Sequence, residues 1–540
     1  MIHFVLFLFA LTAVSAGALE MDPVSAGERI YRDGILPDNQ PLRGERQMGA
    51  GVAGGGAACV NCHRRSGLGS VEGNIIVPPI TAKYLYRPRG GRFEDADLQY
   101  AQVSISLNRE AYTDASLARA IGKGIGRDGR PLNILMPRFD IDGEAMSALI
   151  AYLKSLGNAP VPGVSEDTLH FATVITPDAD RVARRGMLDV MQRFFIDKNE
   201  FIRGGKRLLQ GNKEISFRVS RRWQLHVWEL EGPPDSWEQQ LIAHQQAEPV
   251  FAIVSGLAGK TWAPVHHFCE AQGIPCLFPN TDLPVVAEND FFPLYFSRGV
   301  LLEADLVADA ALEARRADPA VRRVVQVFRP DDIGAAAAAA MAARVRAAGL
   351  ENLDRPLAAV QVKQELARVI RQVGRQDLLV LWLRPPDLAR LPAPPAKAQQ
   401  IVVSGLLGGM EGAPLPALWR RVVHMSYPVD LPESRKFRTD FPHAWFLIRH
   451  IPVVADRIQS DTYLACGILA ETLVAMLDSF VPEYLVESIE SMLSRRTLSG
   501  FYPRLGLAPR QRFASKGGYL VSFPENAAAN PVAEGGWRVP

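Results

Sequence analysis

Cys59 and Cys62 stand three residues apart in "GGGAACVNCHRRSGLG", residues 54–69, and His63 follows the second thiol directly. In a short helical turn, residues i and i+3 share a face, so both thiols can point the same way. Three chemistries use such a pair. A zinc site needs two further ligands at matching spacing, and the chain has no second CxxC and no HxxxH. A redox dithiol opens a helix in a βαβ unit and makes no demand for a following histidine. The third is covalent attachment of a haem through two thioethers, with His63 free to turn under the ring and ligate iron. CxxCH also arises by accident, so its surroundings have to decide.

A haem iron held by His63 would take a sixth ligand, and methionine is the usual one. In "RPLNILMPRFDIDGEAMSALIAYLKSLG", Met136 precedes Pro137 in a non-periodic loop. A helix is then predicted with Asp142 as N-cap and Met146, Leu149, Ile150 and Leu153 at core spacing. Met146 competes with Met136 on residue type, but its helical spacing marks it as core.

These residues, with a helix around "AGERIYRDG", the segment "VPPITAKYL" and a closing helix through Tyr152-Leu153, make residues 23–157 resemble a class I cytochrome c domain. The resemblance implies an all-α N-terminal domain with one haem c attached to Cys59 and Cys62. It implies His63 and Met136 as axial ligands, and a backbone carbonyl of Pro78-Pro79-Ile80 accepting from the other ring nitrogen of His63. The sequence departs from the family in its Gly-rich insert "LRGERQMGAGVAGGGAA", which leaves the shape of the haem edge open and brings in Met48 as an outside candidate for sixth ligand. Arg64, Arg65, Lys123, Arg127, Arg130 and Arg138 could steer an acidic redox partner or simply be solvated surface.

The remaining chain has to be accounted for separately. At 540 residues, 48% apolar and 22% charged with a net charge of +2, it is long enough for more than one packed core. It offers no polybasic arm, zinc finger or phosphate-binding loop, so nucleic acid is not expected as a partner. "MIHFVLFLFALTAVSAGALE" reads as an export signal ending near residue 18, although no Lys or Arg precedes its apolar run. Tyr463–Phe480 is broken by Glu471 and Asp478 and reads as a core helix. No membrane span is expected in the mature chain, whose predicted location is the periplasm. Of five cysteines, Cys466 reads as buried, and Cys269 and Cys276 could pair or remain reduced.

Residues 158–168 read as a linker. Beyond them strand-like and helical segments alternate in two series divided near 290–299, which predicts two α/β lobes with parallel sheets. "FCEAQGIPCLFPN", "FYPRLGLAPRQRFASKGGYLVSF" and the helix around 463–478 resemble a type I periplasmic binding protein, of the branched-chain amino-acid branch of ABC-transporter receptors. That resemblance implies lobe closure over a small molecule, with crossings near 296–300, 425–430 and 500. Helix N-termini at strand carboxyl ends favour anions. That points to Ser255, Gly256, Asn280, Thr281 and Ser297 as ligand-binding residues, each of which could equally be a cap or turn residue. No nucleophile–base pair stands out, so catalysis is not expected.

The chain is thus expected to be multi-domain: signal 1–18, cytochrome-like 19–157, linker 158–168, binding-protein-like 169–540. The expected function is a periplasmic one-electron carrier with redox partner proteins, fused to a small-molecule-binding module. The alternative is a ligand sensor or transport receptor with an accessory haem.

Overall fold

A computed structural model describes residues 22–46, 49–72, 75–87, 110–208, 221–287, 289–358, 361–476, 479–497, 499–524 and 530–540. The export segment and Met48 lie outside the described residues. The chain divides into two compact units, one up to Ala159 and one from Pro160 to Pro540. No helix among the described residues is long and apolar enough to cross a membrane.

In the first unit, helix α1 (Pro23–Asp33) starts where Asp22 accepts from Ser25 N at 3.2 Å and Pro23 supplies a preset φ. It ends at Gly34, whose φ of 66° suits the left-handed cap. A single turn, α2 (Val60–His63), carries Cys62 and His63 with Cys59 at its N-cap, and α3 (Ala82–Leu85) follows. A Thr113/Ser116 capping box opens α4 (Asp114–Lys123), and Asp142 opens α5 (Gly143–Ser155) by accepting from Ala145 N at 2.7 Å. Helices α1 and α5 cross at Gly27, where a Cβ would lie 2.1 Å from Ala148 O, so only glycine lets the backbones approach this closely. Tyr31, Leu149 and Leu153 fill the core around that crossing.

The expectation of an all-α domain is corrected here. The Gly-rich insert folds as β1 (Arg43–Glu45) and β2 (Gly51–Ala53), which pair antiparallel, while β3 (Ser70–Glu72) and β4 (Ile75–Val77) form a hairpin. Strand β5 (Arg138–Asp140), directly after Met136, pairs with β1 on its other edge. The insert read as a departure from the helical pattern is therefore the strand pair that holds the Met136 loop in place.

The second unit has two sheets. Lobe I contains β6 (Thr168–Ile175), α6 (Arg181–Leu208), β7 (Arg222–Glu229), α7 (Trp237–Ala247), β8 (Ala252–Val254), α8 (Ala263–Gln272), β9 (Cys276–Leu277) and β10 (Pro293–Leu294). All five strands are parallel, in the order β10-β9-β8-β6-β7. Lobe II follows with α9 (Val300–Ala317), β11 (Arg323–Phe328), α10 (Gly334–Ala347), β12 (Glu351–Pro356), α11 (Val362–Gln372), β13 (Asp377–Trp382), β14 (Gln400–Ser404) and β15 (Val423–Tyr427). Every residue of β13 is buried, as expected for a strand covered on both faces. The chain then returns to lobe I with α12 (Pro432–Ile448), α13 (Asp456–Met476) and α14 (Pro482–Leu493), where Phe446 of α12 packs on Val190 of α6. It ends in lobe II, adding β16 (Tyr519–Ser522) antiparallel to β15 and then β17 (Val532–Ala533) antiparallel to β16. The chain thus crosses between lobes three times. Cys269, Cys276 and Cys466 are buried, unbridged thiols.

Candidate functional sites

The first unit contains a cavity of about 230 Å³. Cys59, Cys62, His63 and Met136 all line it, so the four residues singled out by spacing meet in one place. Its walls are otherwise mainly apolar, with Leu117, Ile121, Phe139 and Leu149 among them. Met146, the rival methionine, is only 8% exposed within the helical core and does not line the cavity.

The Cys59–His63 turn is pinned from several directions. His63 N donates to Cys59 O at 2.9 Å, Ser70 Oγ to Cys62 O at 2.9 Å, Asn61 Nδ2 to Gly55 O at 2.7 Å and Tyr31 Oη to Arg64 O at 2.6 Å. His63 Nδ1 lies 2.9 Å from Pro78 O. A carbonyl can only accept, so Nδ1 carries the proton and Nε2 keeps a free lone pair. Burial also lowers the His63 pKa to about 4, so the ring is neutral across the physiological range. Burial pushes the Cys59 thiol up to about 12. In the later loop, Met136 N donates to Asn133 O at 3.0 Å and Leu135 N to Asn133 Oδ1 at 3.0 Å, which closes the turn that carries the methionine.

One class of expectation is withdrawn. Among the described residues no group of three or more His, Cys, Asp or Glu side chains could hold a metal ion. The described residues supply no such centre, and the classing of the chain as a metal-binding electron-transfer cytochrome does not stand. What the first unit offers is a shaped apolar cavity with two thiols, one neutral imidazole and one thioether.

The second unit gathers polar residues at the strand carboxyl ends. In lobe I the order of strands reverses beside β6, and Ser255 lies at the end of β8 next to that switch point. Ser255 and Phe278 both adopt positive φ, 49° and 53°, an arrangement that costs of order 1–3 kcal/mol in a non-glycine residue. The strain turns Ser255 inward, where Oγ lies 2.8 Å from Thr462 Oγ1 of α13 and accepts from Asn280 Nδ2 at 3.0 Å. Gly256 is pressed against Trp262. Ser255 and Asn280 therefore spend their polar atoms on the lobe's own structure, while Asn280, Thr281 and Ser297 line a small cavity at the lobe junction. Thr281 accepts from Leu283 N and Ser297 Oγ from Gly299 N, which are turn roles.

That cavity measures about 20 Å³, room for about one water. Three charged residues that the sequence reading passed over line it: Asp282, Arg457 and Asp461. Arg457 donates to Asp282 at 2.8 Å and reaches Asp461 at 3.9 Å, and Tyr502 Oη donates to Asp461 Oδ2 at 3.1 Å. Burial raises the Asp461 pKa to about 7 against the pull of Arg457. The available signal was Arg457 and Asp461, four apart on one helical face, just ahead of an apolar run.

Lobe II fills its own strand ends. Glu303 of α9 is fully buried and accepts from Ser404 Oγ, from Ser426 Oγ at 2.9 Å, and from Gly405 N and Leu406 N at 2.8 and 3.1 Å. The donors that would favour an incoming anion are occupied by this carboxylate.

No family model matches the chain, and no curated protein matches it. Among solved structures it is similar to a possible leucine/isoleucine/valine-binding protein from Rhodopirellula baltica SH 1, with 14% identity, 70% of this chain and 98% of that one covered, and a TM-score of 0.47. A fatty acid ABC transporter substrate-binding protein from Thermomonospora curvata gives 14% identity, 71% and 95% coverage and 0.47. A substrate-binding periplasmic protein from Ralstonia solanacearum gives 13%, 67% and 100%, and 0.48. At these scores the two-lobed description rests on the chain's own sheets and crossings.

Proposed function

We propose that the chain is a small-molecule receptor that works outside the cytoplasm and takes a polar solute at the junction of its two lobes. The observation that carries this reading is the junction itself. Two parallel sheets, linked by three crossings, turn their strand ends toward a cavity lined by a buried cluster of charged residues. Such clusters, desolvated and set in a cleft, mark functional sites more often than surfaces do. A thermal-shift screen of the full chain against amino acids, small carboxylates, alcohols and amides tests it. A solute at a hundred times its dissociation constant should stabilise the chain by ~2.7 kcal/mol. A flat response across the panel overturns the receptor reading.

We further propose that the first unit carries one haem c as an accessory group. The residues present fit it: all four line the cavity, Cys59 and Cys62 would hold the group through thioethers, and His63 Nε2 and Met136 would be its iron ligands. The group would supply an iron centre that the protein's own side chains do not build. The chain's contribution is to fix the imidazole through Pro78 O, exclude water and hold the Met136 loop on β5. Intact-mass measurement of the purified chain should show one covalently added haem, lost in a Cys59→Ala, Cys62→Ala double variant. An unmodified mass in the parent chain overturns the assignment.

A further inference from the structure

Asp461 is 2% exposed, yet its Oδ1 has no hydrogen-bond partner among the described residues. Leaving a buried carboxylate oxygen unpaired is costly, more so than for a neutral group. The charges around it do not balance either. Asp282 and Asp461 face the single guanidinium of Arg457, so with both carboxylates ionised one negative charge is left over. Other charged groups nearby are already committed. Asp456 is held by His443 at 2.6 Å, and Arg384 of lobe II by Asp332 at 2.6 and 2.8 Å. Arg457 is the one cation among the residues lining the cavity, and two carboxylates neutralise it.

We infer that the junction recognises a small organic cation, a primary ammonium head group without a carboxylate, seated on Asp461 Oδ1. This rests on the receptor reading and narrows it to a class of solute. A one-water cavity is the size of an ammonium head and smaller than a carboxylate. The ammonium would supply the missing positive charge and a donor for the unpaired oxygen. Thr281 and Ser297, both lining the cavity, offer hydroxyl oxygens to its remaining protons. A ligand carboxylate would find no free cation, and the anion-favouring strand ends of lobe II are taken by Glu303. The apolar stem of such a solute would lie against Phe296 and Leu406, which also line the cavity.

The test uses four solutes with one three-carbon stem: propylammonium, propanol, propionamide and propionate. Each is titrated calorimetrically into the full chain at fixed ionic strength. Propylammonium should bind at least about tenfold more tightly than the neutral pair, with propionate weakest. Asp461→Asn, which keeps the shape, should erase that preference. If propionate or propionamide binds best, the cation assignment falls while the receptor reading stands. If none of the four binds but the wider panel gives a hit, the same conclusion follows, and if nothing binds at all both fall. Since the wild-type ranking alone decides the matter, a poorly folding variant would not rescue the idea.

Discussion

Ser255 Oγ donates to Thr462 Oγ1 across 2.8 Å, although 207 residues separate them in the chain. Thr462 Oγ1 in turn donates to Ile458 O at 2.7 Å, and Asn280 Nδ2 supplies both hydroxyls, at 3.0 and 3.3 Å. Every member is buried, so removing one leaves another unsatisfied. Ser255→Ala should destabilise the second unit by about 1–3 kcal/mol. A Ser255→Ala, Thr462→Val cycle should show coupling of about 0.5–3 kcal/mol. Urea unfolding followed by tryptophan fluorescence reads this cleanly, since all eight tryptophans lie beyond residue 160. Strictly additive costs would mean the three residues do not act as one network.

Gly256 should tolerate no side chain. A Cβ there would lie 2.1 Å from Trp262 Cη2 and 2.9 Å from Val174 O. Gly256→Ala is expected to cost about 1–3 kcal/mol through overpacking and to shift the Trp262 emission. Adding Trp262→Leu, which removes the clash, should recover part of the loss relative to Trp262→Leu alone. A fully additive double variant would place the cost elsewhere.

The second unit should be more stable at pH 5 than at pH 8. Burial raises the Glu303 pKa from 4.5 to about 7, and it raises Asp461 from 3.8 to about 7. Between the lower and upper values the folded chain keeps protons that the unfolded chain releases, so stability declines as pH rises through that window. The combined effect is on the order of a few kcal/mol. Glu303→Gln should flatten part of the profile, and the rest should remain with Asp461. A urea midpoint that rises from pH 5 to pH 8 would contradict the burial argument for both groups.

What could be read in the sequence follows the range of the interactions involved. Cys59, Cys62 and His63 are set by one helical turn, so spacing alone placed them together. Met136 was legible because a methionine before a proline outside any helical period stands apart from a core methionine such as Met146. The strand–helix alternation after residue 168 foretold two parallel sheets. The β1–β2–β5 sheet was not foreseen, because strands of three residues in a Gly-rich stretch carry no periodic signal. Ser255 and Asn280 were chosen for their place after strands, yet their partner Thr462 sits in a helix with no local mark. Asp282, Arg457 and Asp461 escaped for the same reason. Ion pairs between distant segments are written in the fold, and a single sequence gives no register for them.

The three crossings between lobes also govern how the protein can be made. Lobe I is sequence-discontinuous: its sheet is complete by Leu294 with α6, α7 and α8 packed on it, but α12, α13 and α14, which complete its cover, begin at Pro432. At ~5–20 residues per second, Thr462 is synthesised roughly 10–40 s after Ser255. During that interval the Ser255 and Asn280 side chains have no Thr462, and Val190 of α6 lacks its cover from Phe446. The nascent chain therefore carries a finished sheet with an incompletely covered α6 side through the whole synthesis of lobe II. Its folding depends on holding that surface apart from other chains until the last fifth of the protein arrives.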